Sequence, residues 1–305
     1  MKAKLMFVHA LSPLHAGTGQ GVGVIDLPIA REKATDIPFL PGSTLKGVLR
    51  DACEDPEVRK RVFGPDTSGA DEHAGAVIFT DARLLLLPVR SLKGVFAWVA
   101  SPLLLHRLMR DVGNAAGLPQ IPDIGENACR VSEEGCAIKT SEDQVILEDL
   151  ALAVEGSADV KAWAAWLGKH LFPSDETWQK ELNARLCLVT DDTLSFLLET
   201  ATEITARIQL EDKTKTVKSG ALWYEESLPA ETILAGLVMA TTIKNKEGKV
   251  TEPEEVFAMV KKLSENTILQ FGGNATVGRG LCRAILVGEE ASHENHRTGI
   301  SQAGV

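Results

Sequence analysis

Aromatic residues are scarce in this 305-residue sequence: Phe, Trp and Tyr make up 5%, and Tyr224 is the sole tyrosine. A sheet that stacks bases on paired surface aromatics is therefore not expected. Positive charge is in deficit, with 32 Lys and Arg against 42 Asp and Glu and a formal net charge of −10. That balance argues against a protein that coats nucleic acid over its whole surface. A local basic seam stays compatible with it, because screening isolates such a seam from acidic faces elsewhere. No apolar run approaches the ~18 residues of a membrane span; the most apolar stretch is Leu84–Leu87. The basic-then-apolar start, MKAKLMFVHALSPLHAG, is interrupted by His9, Ser12, Pro13 and His15, which argues against a secretory signal. The cysteines (Cys53, Cys129, Cys136, Cys187 and Cys282) are odd in number and contain no CxxC pair, so neither a disulfide framework nor a zinc site is indicated. These absences point to a cytoplasmic protein that is not bound to a membrane.

What is present is ordinary for a globular chain: 44% apolar and 24% charged residues, enough to bury a core. Leu5 to Leu11 has strand composition and ends at Ser12-Pro13. Leu45, Val48, Leu49 and Ala52 recur at helical spacing, with Ser43 or Thr44 as the expected N-cap. Val77–Phe79 and Leu84–Leu87 read as strands, and Pro102–Val112 as a helix closed by Gly113. Residues 114–144, rich in Gly, Pro, Asn, Glu and Ser, read as an irregular insertion. A single strand is expected over Val145–Val154 and a helix over Ala158–Leu171, ended by Pro173. Ile204–Tyr224 reads as an extended hairpin around a lysine-rich tip, Thr232–Thr242 as a buried strand, Glu254–Leu263 as a helix and Ala284–Val287 as the last strand. The tail, residues 289–305, has no periodicity and is expected to be disordered. Strands and helices alternate without regular βαβ spacing, which predicts an α+β fold with insertions in one domain, residues 1–288.

Two glycine-rich segments stand out. The first, GTGQGVG (Gly17 to Gly23), lacks the Gly-Lys-Ser/Thr of a phosphate-binding loop and runs into Pro28 instead of a helix. A nucleotide-dependent enzyme is disfavoured on that ground. The second, LQFGGNATVGRGLCR, holds Gly272, Gly273, Gly278 and Gly280 with Arg279 and Arg283. Such a loop can expose backbone N–H groups to an anion, or can simply join two elements. Lys46 and Arg50 are four apart on the helix face opposite Leu45 and Leu49, and with the helix N-terminus they offer a phosphate site or a solvated face. In the hairpin, Arg207, Lys213, Lys215 and Lys218 outnumber Glu211 and Asp212, the charge expected of an RNA contact or of any exposed tip. Cutting RNA needs in-line attack on phosphorus, charge stabilisation and proton transfer. Asp26 could hold a metal or position a hydroxyl, or could merely cap a turn. His15 carries an imidazole suited to proton transfer near neutrality, or is an ordinary strand-end residue. Tyr224, Glu225 and Glu226 either work on ribose and protons or form a hairpin base with solvated acids. The two glutamates are indistinguishable at this level.

A resemblance sharpens these readings. A first strand running into SPLHAGTG, then Asp26, PGSTLKG at a helix start, VIFTDARLL, WYEESLP and the terminal FGGNATVGRG are similar to the RAMP superfamily of CRISPR-associated proteins. They resemble most closely the family of the fourth subunit of the type III-B (Cmr) effector complex. The resemblance implies a modified RNA-recognition-motif, ferredoxin-like palm with an inserted β-hairpin thumb at about 204–228, besides the insertion near 114–144. It implies a backbone subunit whose copies stack along a crRNA, each thumb interrupting the guide–target duplex, with other Cmr-type subunits as partners. It further implies that complementary target RNA is cut at regular intervals with a divalent metal, Mg²⁺ or Mn²⁺, and that Asp26 is the essential acid and metal ligand. His15, Tyr224 and Glu225 then fall near the cleavage site. Lys46, Arg50, Arg207, Lys215, Lys218, Gly272, Gly273, Gly278, Arg279 and Gly280 fall on the RNA track. The alternatives are a backbone subunit that binds crRNA without cutting, and the type III-A (Csm) counterpart.

Overall fold

The computed structural model describes residues 1–17, 25–65, 75–113, 117–211, 213–214, 216–244 and 250–288, with Ser219 described by its backbone alone. The first glycine-rich loop beyond Gly17, Lys215 at the hairpin tip and the tail from residue 289 lie outside the described residues. The chain begins with β1 (Lys2–Ala10), β2 (Phe39–Leu40), α1 (Gly42–Asp51), α2 (Pro56–Phe63), β3 (Val77–Phe79) and β4 (Ala82–Arg90). A middle region follows: β5 (Phe96–Ala100), α3 (Pro102–Val112), β6 (Ala128–Ser132), β7 (Gln144–Leu147), β8 (Leu150–Ser157), α4 (Ala158–Leu171), α5 (Glu176–Arg185), β9 (Leu186–Leu188) and α6 (Asp191–Thr200). The hairpin β10 (Glu203–Leu210) and β11 (Val217–Ser227) leads to β12 (Ile233–Ala240), β13 (Ile243–Lys244), β14 (Val250–Thr251), α7 (Pro253–Ser264), β15 (Leu269–Gln270) and β16 (Leu281–Leu286).

The described residues form a mixed α+β fold with seven helices around one large mixed sheet, in the order β15-β16-β1-β12-β4-β5-β9-β6-β8-β7. Within it β1 is antiparallel to β12 on one side and to β16 on the other. Period-two alternation sends Met6, Val8 and Ala10 into one core and Leu5 and Phe7 into another. Leu45 and Leu49 of α1 and Val256 and Val260 of α7 close the first core. Leu105 and Leu108 of α3, Trp163 and Leu167 of α4, and Leu182 of α5 close the second. Both faces of the sheet are thus covered, which is why β1 reads as a continuous buried run instead of an alternating one. No described helix is long and apolar enough to cross a membrane.

Three local expectations need correction. Residues 114–144 are not irregular throughout: β6 lies among them, pairing in parallel with β8 and antiparallel with β9. Its five residues are too few for alternation to stand out against the surrounding polar sequence. The predicted strand over Val145–Val154 is a hairpin, β7 and β8, antiparallel and turned at Glu148 and Asp149. Glu148 takes a positive φ of 49° without help from glycine, so the usual turn signature is missing. The N-cap of α1 is Pro41, not Ser43 or Thr44. The Gly42 N–H there donates to the Asp81 carboxylate at 2.8 Å, so the cap is supplied by a residue far along the chain.

Candidate nucleic-acid interface

Strand β11 organises the site. One edge pairs with β10, and along the other edge lie two segments from the start of the chain. Leu14 exchanges backbone hydrogen bonds with Leu228. The Leu27 N–H donates to the Tyr224 carbonyl at 3.1 Å, and the Glu226 N–H to the Leu27 carbonyl at 3.0 Å. The carboxylate of Asp26, an exposed residue, accepts the Tyr224 N–H at 2.8 Å. The ring of His15, a buried residue, places Nδ1 2.6 Å from the Glu226 carbonyl oxygen. A carbonyl can only accept, so Nδ1 carries the proton and Nε2 of the neutral ring keeps its lone pair. Tyr224 and Glu226 are two residues apart on one strand, so the anchors of Asp26 and His15 are separated by about 7 Å along it.

Beside these residues opens a cleft of about 340 Å³, lined by His15, Gly17, Leu27, Pro28, the α1 N-cap Pro41, Thr44 of α1, and Gly272 and Gly273. It is the place where the first loop, the start of α1 and the C-terminal glycine loop converge. The glycines are required by geometry. Gly272 has φ +75°, and a Cβ on it would overlap the His15 carbonyl oxygen; the next residue, Gly273, donates its N–H to that oxygen at 3.0 Å. Gly280, at φ +70°, would overlap the Phe271 carbonyl, and its N–H donates to Pro13 at 2.8 Å. Gly278 takes φ +76° with open space around it.

Glu225 and Glu226, inseparable in the sequence, point to opposite faces of β11, and both are buried, so the reading of solvated acids does not hold. The Glu226 carboxylate accepts the Ile29 N–H at 3.1 Å and the Arg31 guanidinium at 2.7 Å. That of Glu225 accepts the Asn274 amide at 2.6 Å and lies 3.4 Å from Arg207 Nε. The latter contact is an attraction between charges without hydrogen-bond alignment, for Nε and Nη2 of Arg207 are buried and find no hydrogen-bond partner among the described residues. Arg279 reaches back to Glu203 at 2.8 Å. The hairpin thus turns an ionic face onto the glycine loop. Its other face, beyond the buried Glu226 at its base, is apolar and uncovered, with Ile204, Ile208, Leu222 and Tyr224 between 39% and 54% exposed.

On α1, Lys46 is half-buried, and burial first, then the neighbouring positive Arg50, draws its pKa below the ordinary lysine value. Arg50 donates to the Gly64 carbonyl at 2.5 Å, which draws one of its donors toward the protein. Lys218 stands exposed near the hairpin tip. Among the described residues no group of three or more His, Cys, Asp or Glu could hold a metal ion, so Asp26 stands as a single hard oxygen donor. Sequence reading missed Arg31, Asn274 and Asp81. Each works through a partner distant in sequence, and no local pattern signals such a pairing.

Residues 7–283 match the RAMP superfamily. The CRISPR system Cmr endoribonuclease Cmr4 of Pyrococcus furiosus is 36% identical over 301 residues, which cover 94% of this chain and 96% of that protein. The CRISPR system CMR subunit Cmr4 of Saccharolobus solfataricus is 23% identical over 91% of this chain and 94% of its own length. The crystal structure of oligomeric Cmr4 from Pyrococcus furiosus superposes with a TM-score of 0.71 at 30% identity, covering 96% of this chain and all of that one. A chain of the type III-B Cmr-beta complex bound to cognate target RNA shares the fold, with a TM-score of 0.68 at 21% identity over 94% of this chain and 97% of that one. With the glycine loop, the Asp26 segment and the WYEE strand in one site, the chain belongs to the RAMP superfamily and, within it, to the Cmr4 family.

Proposed function

We propose that this chain is the crRNA-binding backbone subunit of a type III-B effector complex and that it cleaves complementary target RNA. The observation that carries the proposal is the pairing of an exposed carboxylate, Asp26, with an imidazole lone pair, His15 Nε2, on one edge of β11 beside a glycine-lined cleft. Strands β16-β1-β12-β4, with α1 and α7 as the crossing helices, follow the strand order of a ferredoxin-like palm. The hairpin β10–β11 is the thumb. Because α3, α4 and α5 close the face that an RNA-recognition motif leaves open, the guide runs along the loops and not over the sheet. Recognition then rests on backbone and shape, which suits a guide of changing sequence. Lys46, the glycine loop, and the lysines of the hairpin form its track. Further copies of this chain stack along the crRNA, other Cmr-type subunits complete the assembly, and the thumbs set the spacing of the cuts.

In this reading His15 accepts the proton of the attacking hydroxyl at Nε2, while its Nδ1–H, held on the Glu226 carbonyl, fixes the ring and supports the imidazolium that forms. Asp26 orients the reacting groups from its anchor on Tyr224. A divalent cation, Mg²⁺ or Mn²⁺, fits as a guest of the RNA-loaded complex, since Mg²⁺ is often held by one carboxylate plus phosphate oxygens and water. When bound it would neutralise charge developing on the phosphate. The test is target-RNA cleavage by the assembled, crRNA-loaded complex, wild type against Asp26→Asn, in magnesium and in EDTA. Regularly spaced cuts that vanish in the variant while RNA stays bound support the proposal. A wild type that binds and never cuts leaves a purely structural backbone subunit.

A further inference from the structure

We propose that the buried Arg31–Glu226 pair is the positioning device that aims Asp26. The inference rests on the nuclease reading above and names residues which that reading does not use. Asp26 is exposed, so a side chain packed around it cannot fix its place. Its main chain is instead pinned downstream. Leu27 forms backbone hydrogen bonds to Tyr224 and Glu226. Two residues on, the Ile29 N–H donates to one Glu226 oxygen at 3.1 Å, and Arg31 Nη2 donates to the other at 2.7 Å.

Arg31 does more than neutralise Glu226. Nη2 also donates to the Leu198 carbonyl at 3.0 Å, in the last turn of α6, where helix carbonyls lack internal partners and a cation is favoured. Nη1 donates to the Asp36 carbonyl at 3.0 Å. One guanidinium therefore joins the Asp26 segment, the base of the hairpin and the last helix of the middle region. The paired side chains are 16% and 4% exposed. At that burial, removing one partner strands the other charge, whereas a surface pair would matter little. Glu225, one residue away, faces the glycine loop instead, with its carboxylate on Asn274 and beside Arg207 of the hairpin, and no contact of that carboxylate with the Asp26 segment is seen among the described residues. The division is specific: Glu226 aims the acid, and Glu225 holds the loop.

In-line attack tolerates little displacement, and an error near 1 Å costs about a hundredfold in rate. The experiment is single-turnover target-RNA cleavage at saturating RNA by the assembled, crRNA-loaded complex, with affinities and melting temperature measured alongside. Arg31→Met should slow cutting by about a hundredfold while both RNA affinities stay at the wild-type value. Adding Glu226→Gln should restore part of the rate, because both buried charges are then gone. A pair that only stabilises the fold would lower the melting temperature and leave the rate below it untouched. Should Arg31→Met fail to assemble, Arg31→Lys keeps the charge but cannot span all three acceptors, and a loss of about tenfold is expected. Wild-type cutting by the loaded Arg31→Met complex, or by Arg31→Lys in its place, overturns the assignment. Loss of RNA affinity in step with rate also overturns it. A loaded wild type that cuts nothing fails the nuclease reading itself, and this inference falls with it.

Discussion

The two sides of β11 differ in what they hold. Its outer edge carries Asp26 and His15, each on a single hydrogen bond to the strand's backbone. The ionic face that it shares with β10 carries the glycine loop through side chains, with Glu225 of β11 on Asn274 and Glu203 of β10 on Arg279. Backbone anchoring fixes position regardless of side-chain identity, which suits groups that must stay free to react. Side-chain anchoring spends its charges on the protein, which suits a loop whose own N–H groups, those of Gly273 and Gly280 among them, are also spent on holding it against the first segment. The comparison teaches that one strand anchors its two sides by different means, so mutation is expected to separate them.

The sharpest way to break that separation is His15→Ala. Loss of a general base lowers cleavage by about 10²–10⁴-fold, and crRNA affinity measured by filter binding should not change. A comparable loss of affinity would merge the two sides. Gly280→Ala comes next. A Cβ at φ +70° meeting the Phe271 carbonyl should destabilise the chain by about 1–3 kcal/mol, read as a lower midpoint in denaturant. Glu225→Gln should cost about 1–2 kcal/mol of RNA affinity by loosening Asn274 and Arg207, with the single-turnover rate at saturation retained. A rate loss at saturation would move Glu225 to the reactive side. The smallest effect belongs to Lys46→Ala, which should lower the slope of log affinity against log salt by about 0.7–1 and leave the cut sites where they are.

Much of this fold could be read from the residues, for reasons that also explain the failures. Helix α4 spans Ala158–Leu171, the range expected with Pro173 as its end, and the structure adds Ser157 as its N-cap. Helices α1, α3 and α7 follow their apolar spacing to within a few residues. Strands β6 and β9 were not legible, since elements of five and three residues carry too little periodicity. The site divides similarly. Motifs pointed to Asp26, His15 and the glycines, because glycine at a close approach leaves a visible trace. Arg31 and Glu226 lie 195 positions apart, and neither sits in a pattern that announces the other. Nor can a sequence tell which of two adjacent glutamates faces which loop, a matter decided by the phase of a strand.

The uncovered apolar ribbon of the hairpin sets a condition on how the protein is made. Two free chains meeting ribbon to ribbon would remove Ile208 and Leu222 from water with no guide between them, and salts such as sulfate strengthen that drive. A chain produced well ahead of its RNA is therefore expected to lose part of itself to unproductive clumps, which light scattering of the RNA-free protein would read. Matched supply of chain and guide is the economical regime, and co-expression with RNA should raise the soluble yield.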